Sequence, residues 1–84
     1  MLKVRKVTID MLKPTELRTS VLLELLEKAR IKRVEITSYE LERSTESLKV
    51  VVEGEAIDIE EVLALIRKYG GVVQNLESIV AERG

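Results

Sequence analysis

The feature that most constrains this chain is an alternating apolar segment that runs into its only proline. Within residues 4–12, the apolar side chains of Val7, Ile9 and Met11 alternate with polar ones. A period of two is the pattern of a β-strand with one buried face. Pro14 has no backbone donor and disfavours helical geometry at the residue before it. The segment therefore predicts a half-buried strand that ends at the proline.

One helical pattern and three further strand patterns follow. Apolar residues at three- and four-residue steps predict an amphipathic first helix of about three turns. They are Leu17, Val21, Leu22, Leu25, Leu26 and Ala29. Thr15, Thr19 and Ser20 are the candidates for its N-cap. Residues 31–43, 48–53 and 72–81 are rich in β-branched and aliphatic side chains, which predicts three more strands.

The second helix has boundaries that are visible in the sequence. Asp58 followed by Glu61 three residues later is a capping-box arrangement, with Asp in the usual Ser or Thr place. Gly70 and Gly71 predict the end of the helix, because glycine readily adopts the left-handed conformation after a last turn. The predicted buried stripe is Ile59, Val62, Leu63 and Ile66.

The predicted order is βαββαβ, which indicates a single α+β domain over residues 1–84 with a ferredoxin-like plait. Handedness of the two β-α-β units gives a four-stranded antiparallel sheet of order 4-1-3-2, with both helices on one face. Strands 1 and 3 are then central neighbours, and matching their apolar residues fixes a register. It pairs Val7 with Val52, Ile9 with Val50, Met11 with Leu48, Lys6 with Glu53 and Asp10 with Lys49.

The hairpin between strands 2 and 3 is predicted to contain a β-bulge. A two-residue turn at Ser44-Thr45 turns the side chains of Tyr39 and Leu41 towards the core. The apolar Val34 and Ile36, earlier in strand 2, would then face away from it. One extra residue near positions 37 and 38 reconciles the two halves. This register places Tyr39 opposite Val50, Leu41 opposite Leu48 and Ile36 opposite Val52.

Composition excludes several classes of function. The chain has no Cys and no His, so disulfides, thiolate metal sites and Ser/His or Cys/His catalysis are absent. Fourteen basic residues nearly balance 15 acidic ones, and the central strands offer no aromatic side chain for stacking bases. No apolar run approaches the roughly 20 residues that span a bilayer. We therefore expect a cytoplasmic protein that is not an enzyme, has no cofactor, and binds neither nucleic acid nor membrane.

The charged residues are mostly Glu, Lys and Arg, while Gln74 and Asn75 are the only carboxamides. This bias is typical of thermophilic proteins, because ion-pair networks gain value at high temperature and labile side chains lose it.

Asp10 is the candidate for a binding site, because a carboxylate among apolar neighbours costs stability unless it is paired or solvated. One interpretation makes it a ligand contact or a divalent-cation ligand on the open face of the sheet, together with Glu35 or Glu53. The other is a cross-strand ion pair with Lys49, and the sequence favours the ion pair.

Four segments carry a resemblance to a known family. They are Ile9-Asp10-Met11-Leu12-Lys13-Pro14, Val34-Glu35-Ile36-Thr37-Ser38-Tyr39-Glu40, Val52-Glu53-Gly54 and Tyr69-Gly70-Gly71-Val72-Val73. In this combination, the chain resembles the archaeal DUF211 family over nearly its whole length. The resemblance implies a ferredoxin-like plait, an archaeal cytoplasmic protein and assembly into homo-oligomers. It implies no activity, because that family is itself uncharacterised.

The edges of the predicted sheet suggest self-association. Strands 2 and 4 alternate apolar residues without a proline that would block pairing. The candidate interface residues are Tyr39 and Leu41 in the strand 2 arm, and Leu76, Ile79 and Val80 near the end of strand 4. We expect head-to-tail contact between these groups, which makes a ring if the rotation closes, in a scaffolding or regulatory domain. The alternative is an ACT-like sensor of small molecules or metal ions that binds its ligand between subunits.

Overall fold

A long first strand lies in the middle of a four-stranded antiparallel sheet. In the computed structural model, which describes residues 1–84, the strand β1 spans Leu2–Pro14. It is followed by α1 (Thr19–Leu26), β2 (Arg33–Leu41), β3 (Thr45–Glu53), α2 (Ile59–Tyr69) and β4 (Val72–Arg83). The strand order β2-β3-β1-β4 is the predicted order read from the other edge. The ferredoxin-like α+β prediction is confirmed. Neither helix is long and apolar enough to cross a membrane.

The pairing of β1 with β3 has the predicted register. Val7, Ile9 and Met11 lie opposite Val52, Val50 and Leu48, and none of the six side chains is more than 1% exposed. They form one core with residues from both helices, among them Leu22, Leu26, Val62 and Ile66. Period-two burial in the strands and helical spacing in α1 and α2 therefore meet in a single apolar layer.

The β2–β3 hairpin contains a bulge, but its register differs from the prediction. The irregularity lies between Ser38 and Glu40, so Tyr39 is the extra residue. The predicted pairing was wrong by two residues, because the turn is centred on Arg43 and Ser44, one residue earlier than predicted. The N–H of Glu42 donates to the carbonyl of Thr45, and the N–H of Thr15 donates to the carbonyl of Ser44. The pairs formed are Val34 with Val52, Ile36 with Val50, Ser38 with Leu48 and Leu41 with Glu46.

Helix α1 is shorter than predicted, and the prediction of its cap was wrong. Its N-cap is Arg18, which makes no side-chain cap hydrogen bond, so Thr15, Thr19 and Ser20 do not fill that role. The chain turns tightly before the helix, since the N–H of Leu17 donates to the carbonyl of Pro14. After the helix, backbone hydrogen bonds between residues three positions apart extend the last turn and bring Ala29 into the core. Local backbone bonds thus replace both the cap and the third turn.

Helix α2 begins and ends as predicted. The side chain of Asp58 accepts a hydrogen bond of 3.2 Å from the N–H of Glu61. At the other end, Gly70 has φ +103°, the left-handed conformation that stops a helix.

Rows of apolar side chains cross the helix-covered face of the sheet from one edge to the other. One row consists of Val34, Val52, Val7 and Ile79, and the next consists of Ile36, Val50, Ile9 and Leu76. The two central members of each row are buried, whereas those on β2 are half-buried and those on β4 are exposed. The helices therefore cover the centre of the sheet but leave the apolar rows open at both edges.

The cap of α2 gives a test of the local fold. We expect Asp58→Ala to lower the free energy of unfolding by about 1 kcal/mol, because an N–H of the first turn loses its acceptor. Asp58→Asn keeps the acceptor and should retain most of that stability. Urea denaturation of the three proteins measures the difference, and equal losses in both variants would contradict a capping role.

Candidate functional site

The most buried charged side chain is Lys13, which is 2% exposed. Its Nζ lies 3.1 Å from Oε1 of Glu46. The same ammonium donates to the backbone carbonyls of Pro14 (2.9 Å), Thr15 (3.3 Å) and Leu17 (2.5 Å). Four oxygens therefore surround one cation, three of them from the end of β1 and the loop after it and one from β3.

The sheet register explains this placement. Lys13 continues the parity of Met11, so its side chain lies on the helix-covered face, and its strand partner is Glu46. The register also shows the signal that sequence reasoning missed. Lys13 and Glu46 lie opposite each other at positions whose side chains face the helices. This arrangement indicates a buried ion pair, but it is visible only when β3 is known to begin at Thr45.

The polar side chains near Lys13 form hydrogen bonds within the chain. The hydroxyl of Ser38, followed by the ammonium of Lys13, holds the pKa of the Glu46 carboxyl below its ordinary value. The hydroxyl of Tyr69 donates to the carbonyls of Leu17 and Arg18 at 3.1 Å each, and burial raises the pKa of this hydroxyl. An ammonium has three protons, and all of them have protein acceptors. The cluster ties the β1–α1 loop to the β2–β3 hairpin, and the hydrogen-bond donors of its lysine are used within the fold.

Asp10 lies on the open face of the sheet, where its partner is Tyr39. The hydroxyl of Tyr39 donates to Oδ1 of Asp10 at 2.5 Å, and this bond, followed by burial, raises the pKa of the tyrosine. Lys49 lies opposite Asp10 in the backbone register, but its Nζ is 3.4 Å from Oε2 of Glu77 on β4. The predicted ion pair of Asp10 with Lys49 was therefore wrong, because the bulge places a tyrosine within reach of the carboxylate.

The three carboxylates proposed as cation ligands are not brought together. Glu53 and Glu35 both pair with Arg33, at 2.8 Å and 3.1 Å, which raises the pKa of that guanidinium. Asp10 is held separately by the Tyr39 hydroxyl. No three acidic side chains are grouped so that they can hold a metal ion. Two of the three carboxylates are therefore paired with a guanidinium, and the third is bonded to a tyrosine hydroxyl.

The candidate interface residues are all exposed. The exposed fractions are 54% for Tyr39, 68% for Leu41, 37% for Leu76, 48% for Ile79 and 44% for Val80. They occupy two surfaces, on opposite edges and towards opposite ends of the sheet. Leu41 is level with Lys13 across the strands, whereas Val80 is level with Lys6. A contact between the strand 2 arm and the end of β4 therefore has to join two different surfaces of the molecule.

Two grooves mark the surface, and neither includes Asp10, Lys13 or Lys49. The first, of about 440 Å³, is lined by Lys3, Arg30, Ile31, Lys32, Glu55 and Ala56. The second, of about 300 Å³, lies between α1 and β2 and is lined by Leu23, Glu27, Ile31, Lys32, Arg33 and Val34. Sequence reasoning missed both, because they depend on how α1 sits beside the edge strand.

Comparison with known proteins agrees with the resemblance seen in the sequence. The family model of DUF211, described as uncharacterised ArCR, matches residues 5–83. An uncharacterised protein from the archaeon Methanocaldococcus jannaschii is 35% identical over 79 residues, which cover 93% of this chain and 81% of the relative.

The buried lysine gives a test of the cluster. We expect Lys13→Met to lower the free energy of unfolding by about 3 kcal/mol, because the carboxylate of Glu46 and three carbonyls lose their donor. Lys49→Met removes an exposed ion pair and should cost at most about 1 kcal/mol. Urea denaturation at pH 7 measures both, and equal small losses would contradict a structural role for the buried ammonium.

Glu46 should also make stability depend on pH. Its folded-state pKa is lowered, so its contribution is complete above the ordinary value of about 4.3 and is lost as pH falls through the lower folded-state value. We therefore expect Glu46→Gln to be less stable than the natural protein at pH 7, with the gap narrowing towards pH 3. Glu24→Gln, at an exposed helix position, is the control and should show no such gap. A gap for Glu46→Gln that stays constant between pH 7 and pH 3 would refute the assignment.

Proposed function

This chain belongs to the DUF211 family, and we propose that it is a non-enzymatic domain that assembles with copies of itself through the edges of its sheet. The supporting observation is that the apolar rows continue past the helices onto both edge strands. Leu76 and Ile79 on one edge, and Tyr39 and Leu41 on the other, are exposed side chains beside unpaired strand backbone. Such edges are templates for pairing with another chain.

Magnitudes favour strand pairing over a loose contact. The candidate residues are about half exposed, so completing their burial contributes about 1 kcal/mol per side chain. Five such side chains do not clearly exceed the roughly 4–15 kcal/mol that association costs. Backbone hydrogen bonds between the two edges supply a further contribution, together with the direction and register of the contact. The interface between two copies, called the joint below, is therefore a pairing of β2 with β4 of the next copy.

The contact is heterologous, because the two edges carry different residues. A β2 edge joined to a β4 edge leaves one free edge of each kind at the ends of the assembly. Head-to-tail contacts of this type form a closed ring if the rotation between copies closes, and an open filament otherwise. A ring uses every edge and leaves no unpaired strand, which suits a scaffolding or regulatory domain.

The polar groups support a role without catalysis. Lys13 and Asp10, the two charged side chains set among apolar neighbours on β1, both have protein partners. General acid–base catalysis needs a group with a tuned pKa within reach of substrate. The chain has no His or Cys to supply an alternative. The buried Tyr69 is bonded to two backbone carbonyls, and several of the surface charges are in ion pairs.

The second candidate is an ACT-like sensor that binds a small molecule or metal ion between subunits. The larger groove supports it, because Lys3, Arg30 and Lys32 outnumber Glu55 there and suit an anionic ligand. A panel of metabolites and divalent cations distinguishes the two candidates. A ligand that raises the melting temperature progressively as its concentration increases favours the sensor, and a flat response favours assembly alone.

Sedimentation equilibrium tests the proposed assembly. We expect the protein at micromolar concentration to sediment as a species several times heavier than the 9.5 kDa chain. The double variant Leu41→Asp with Ile79→Asp should sediment as a monomer, because each edge then carries a charge that must be desolvated on pairing.

Val21→Asp is the matched control. It replaces another exposed apolar residue, on α1 and not on an edge strand, and should leave the assembly intact. A natural protein that is monomeric at micromolar concentration would overturn the proposed function.

A further inference from the structure

The groove between α1 and β2 is an apolar site that this chain leaves unfilled. Leu23 of α1 is exposed at its rim, and Ile31 and Val34 are half-buried at its base. Lys32 and Arg33 border it on the strand side, and Glu27 borders it on the helix side. Since Val34 pairs with the buried Val52, the groove lies on the helix-covered face of the sheet, at the N-terminal end of β2.

Strand β4 presents exposed apolar side chains on the opposite edge. Ile79 lies opposite Val7 and Leu76 lies opposite Ile9, so both side chains are on the same helix-covered face. One of the three irregularities in the β1–β4 pairing, between Thr8 and Ile9, lies between these two residues and keeps both on that face although they are three positions apart. One edge therefore carries an apolar groove, and the other carries apolar side chains without a cover.

The strand directions allow the two edges to join without inversion. All three pairings in the sheet are antiparallel, so β2 runs with β1, and β4 runs against both. A second copy placed beside the first in the same orientation thus adds its β4 antiparallel to β2. With no shift along the strands, the rows of the two sheets become continuous, and Ile79 of the second copy falls beside Val34.

We propose that the groove between α1 and β2 receives Ile79 of a second copy of this chain, with Leu76 of that copy beside Ile36. This inference rests on the proposed assembly and specifies its register. Ile79 covers Ile31 and Val34 and contacts Leu23, which completes the row begun by Val7 and Val52. The joint extends the core across the boundary between copies instead of adding a separate contact.

The open face of the sheet is compatible with this register. Across the joint, Arg33 lies beside Val80, Glu35 beside Ser78 and Thr37 beside Asn75 of the second copy. No like charges are opposed in these three pairs, and the nearby Glu77 of the second copy is paired with Lys49 of its own chain. Beyond Arg33, the next charged residues on the two sides are Lys32 and Glu82, which have opposite signs.

In this register the strand 2 arm still contacts the second copy, but it meets the start of β4 and not its end. Leu41 is level with Lys13, and Val72 of β4 lies opposite the adjacent Leu12. Leu41 therefore meets the start of β4 in the second copy, about 20 Å along the strands from Ile79, at 3.3 Å per residue. A direct contact between Leu41 and Ile79 requires a different register, and this difference can be measured.

Cysteine cross-linking distinguishes the registers, because the natural chain contains no cysteine. The double variant Val34→Cys with Ile79→Cys is treated with a short bifunctional thiol reagent. We expect a ladder of covalent multimers on a denaturing gel, since each joint links two different positions. Leu41→Cys with Ile79→Cys is the matched control and should give at least about tenfold less product. Val34→Cys alone should give no dimer.

Each outcome of the cross-linking bears on the proposal. Preferential linking of positions 41 and 79, or dimers of Val34→Cys alone, would overturn the groove register while leaving self-assembly in place. Absence of either product from a protein that sediments as an oligomer would also overturn it. Absence of products from a monomeric protein would remove the assembly and the inference together.

A second variant tests the groove without relying on thiol reactivity. Leu23→Glu places a charge where Ile79 is to be buried and should weaken association at least tenfold, or about 1.4 kcal/mol. Val21→Glu changes the same helix outside the groove and should leave association unchanged. Thermal melting of dilute protein checks that both variants fold. Equal association of the two folded variants would refute the groove as the docking site.

Discussion

The rest of this structure depends on the pairing of β1 with β3. Six aliphatic side chains on these two strands are fully removed from water, and they fix which face of every other strand points towards the helices. A slip of one residue would turn all six to the opposite face, so the register is strongly determined. The neighbouring strands inherit it, which is why the apolar rows extend to positions 34 and 36 on one edge and 76 and 79 on the other.

The two ends of the sheet are stabilised by different means. At one end, the ammonium of Lys13 binds oxygens from the β1–α1 loop and from Glu46 of β3, and so joins segments that are distant in the sequence. At the other, the guanidinium of Arg5 donates to the carbonyl of Glu55, and Arg33 pairs with Glu53. These charges are used within the fold, whereas the apolar surface at the edges is not covered by any other part of the chain.

Local patterns predicted most of the fold. Alternation fixed β1 and its partner strand, and the Asp58 and Gly70 signals set both ends of α2. The β2–β3 register was not predictable in this way, because the turn is centred on Arg43 and Ser44, one residue earlier than the sequence suggested, and the carbonyl of Ser44 accepts a hydrogen bond from Thr15 beyond the end of β1. The bulge at Tyr39 places this side chain beside Asp10, while Lys49 pairs with Glu77. The buried role of Lys13 was missed because β3 was expected to begin at residue 48, beyond its partner Glu46.

The central claim is that the apolar rows of the sheet continue across the boundary between copies. Hydrogen–deuterium exchange measured over a range of protein concentrations tests this most directly, because paired edge amides exchange slowly. The account predicts that segments 34–38 and 76–80 become protected as concentration rises, while β1 and β3 stay protected throughout. Exchange that remains fast in both edge segments at every concentration would contradict it.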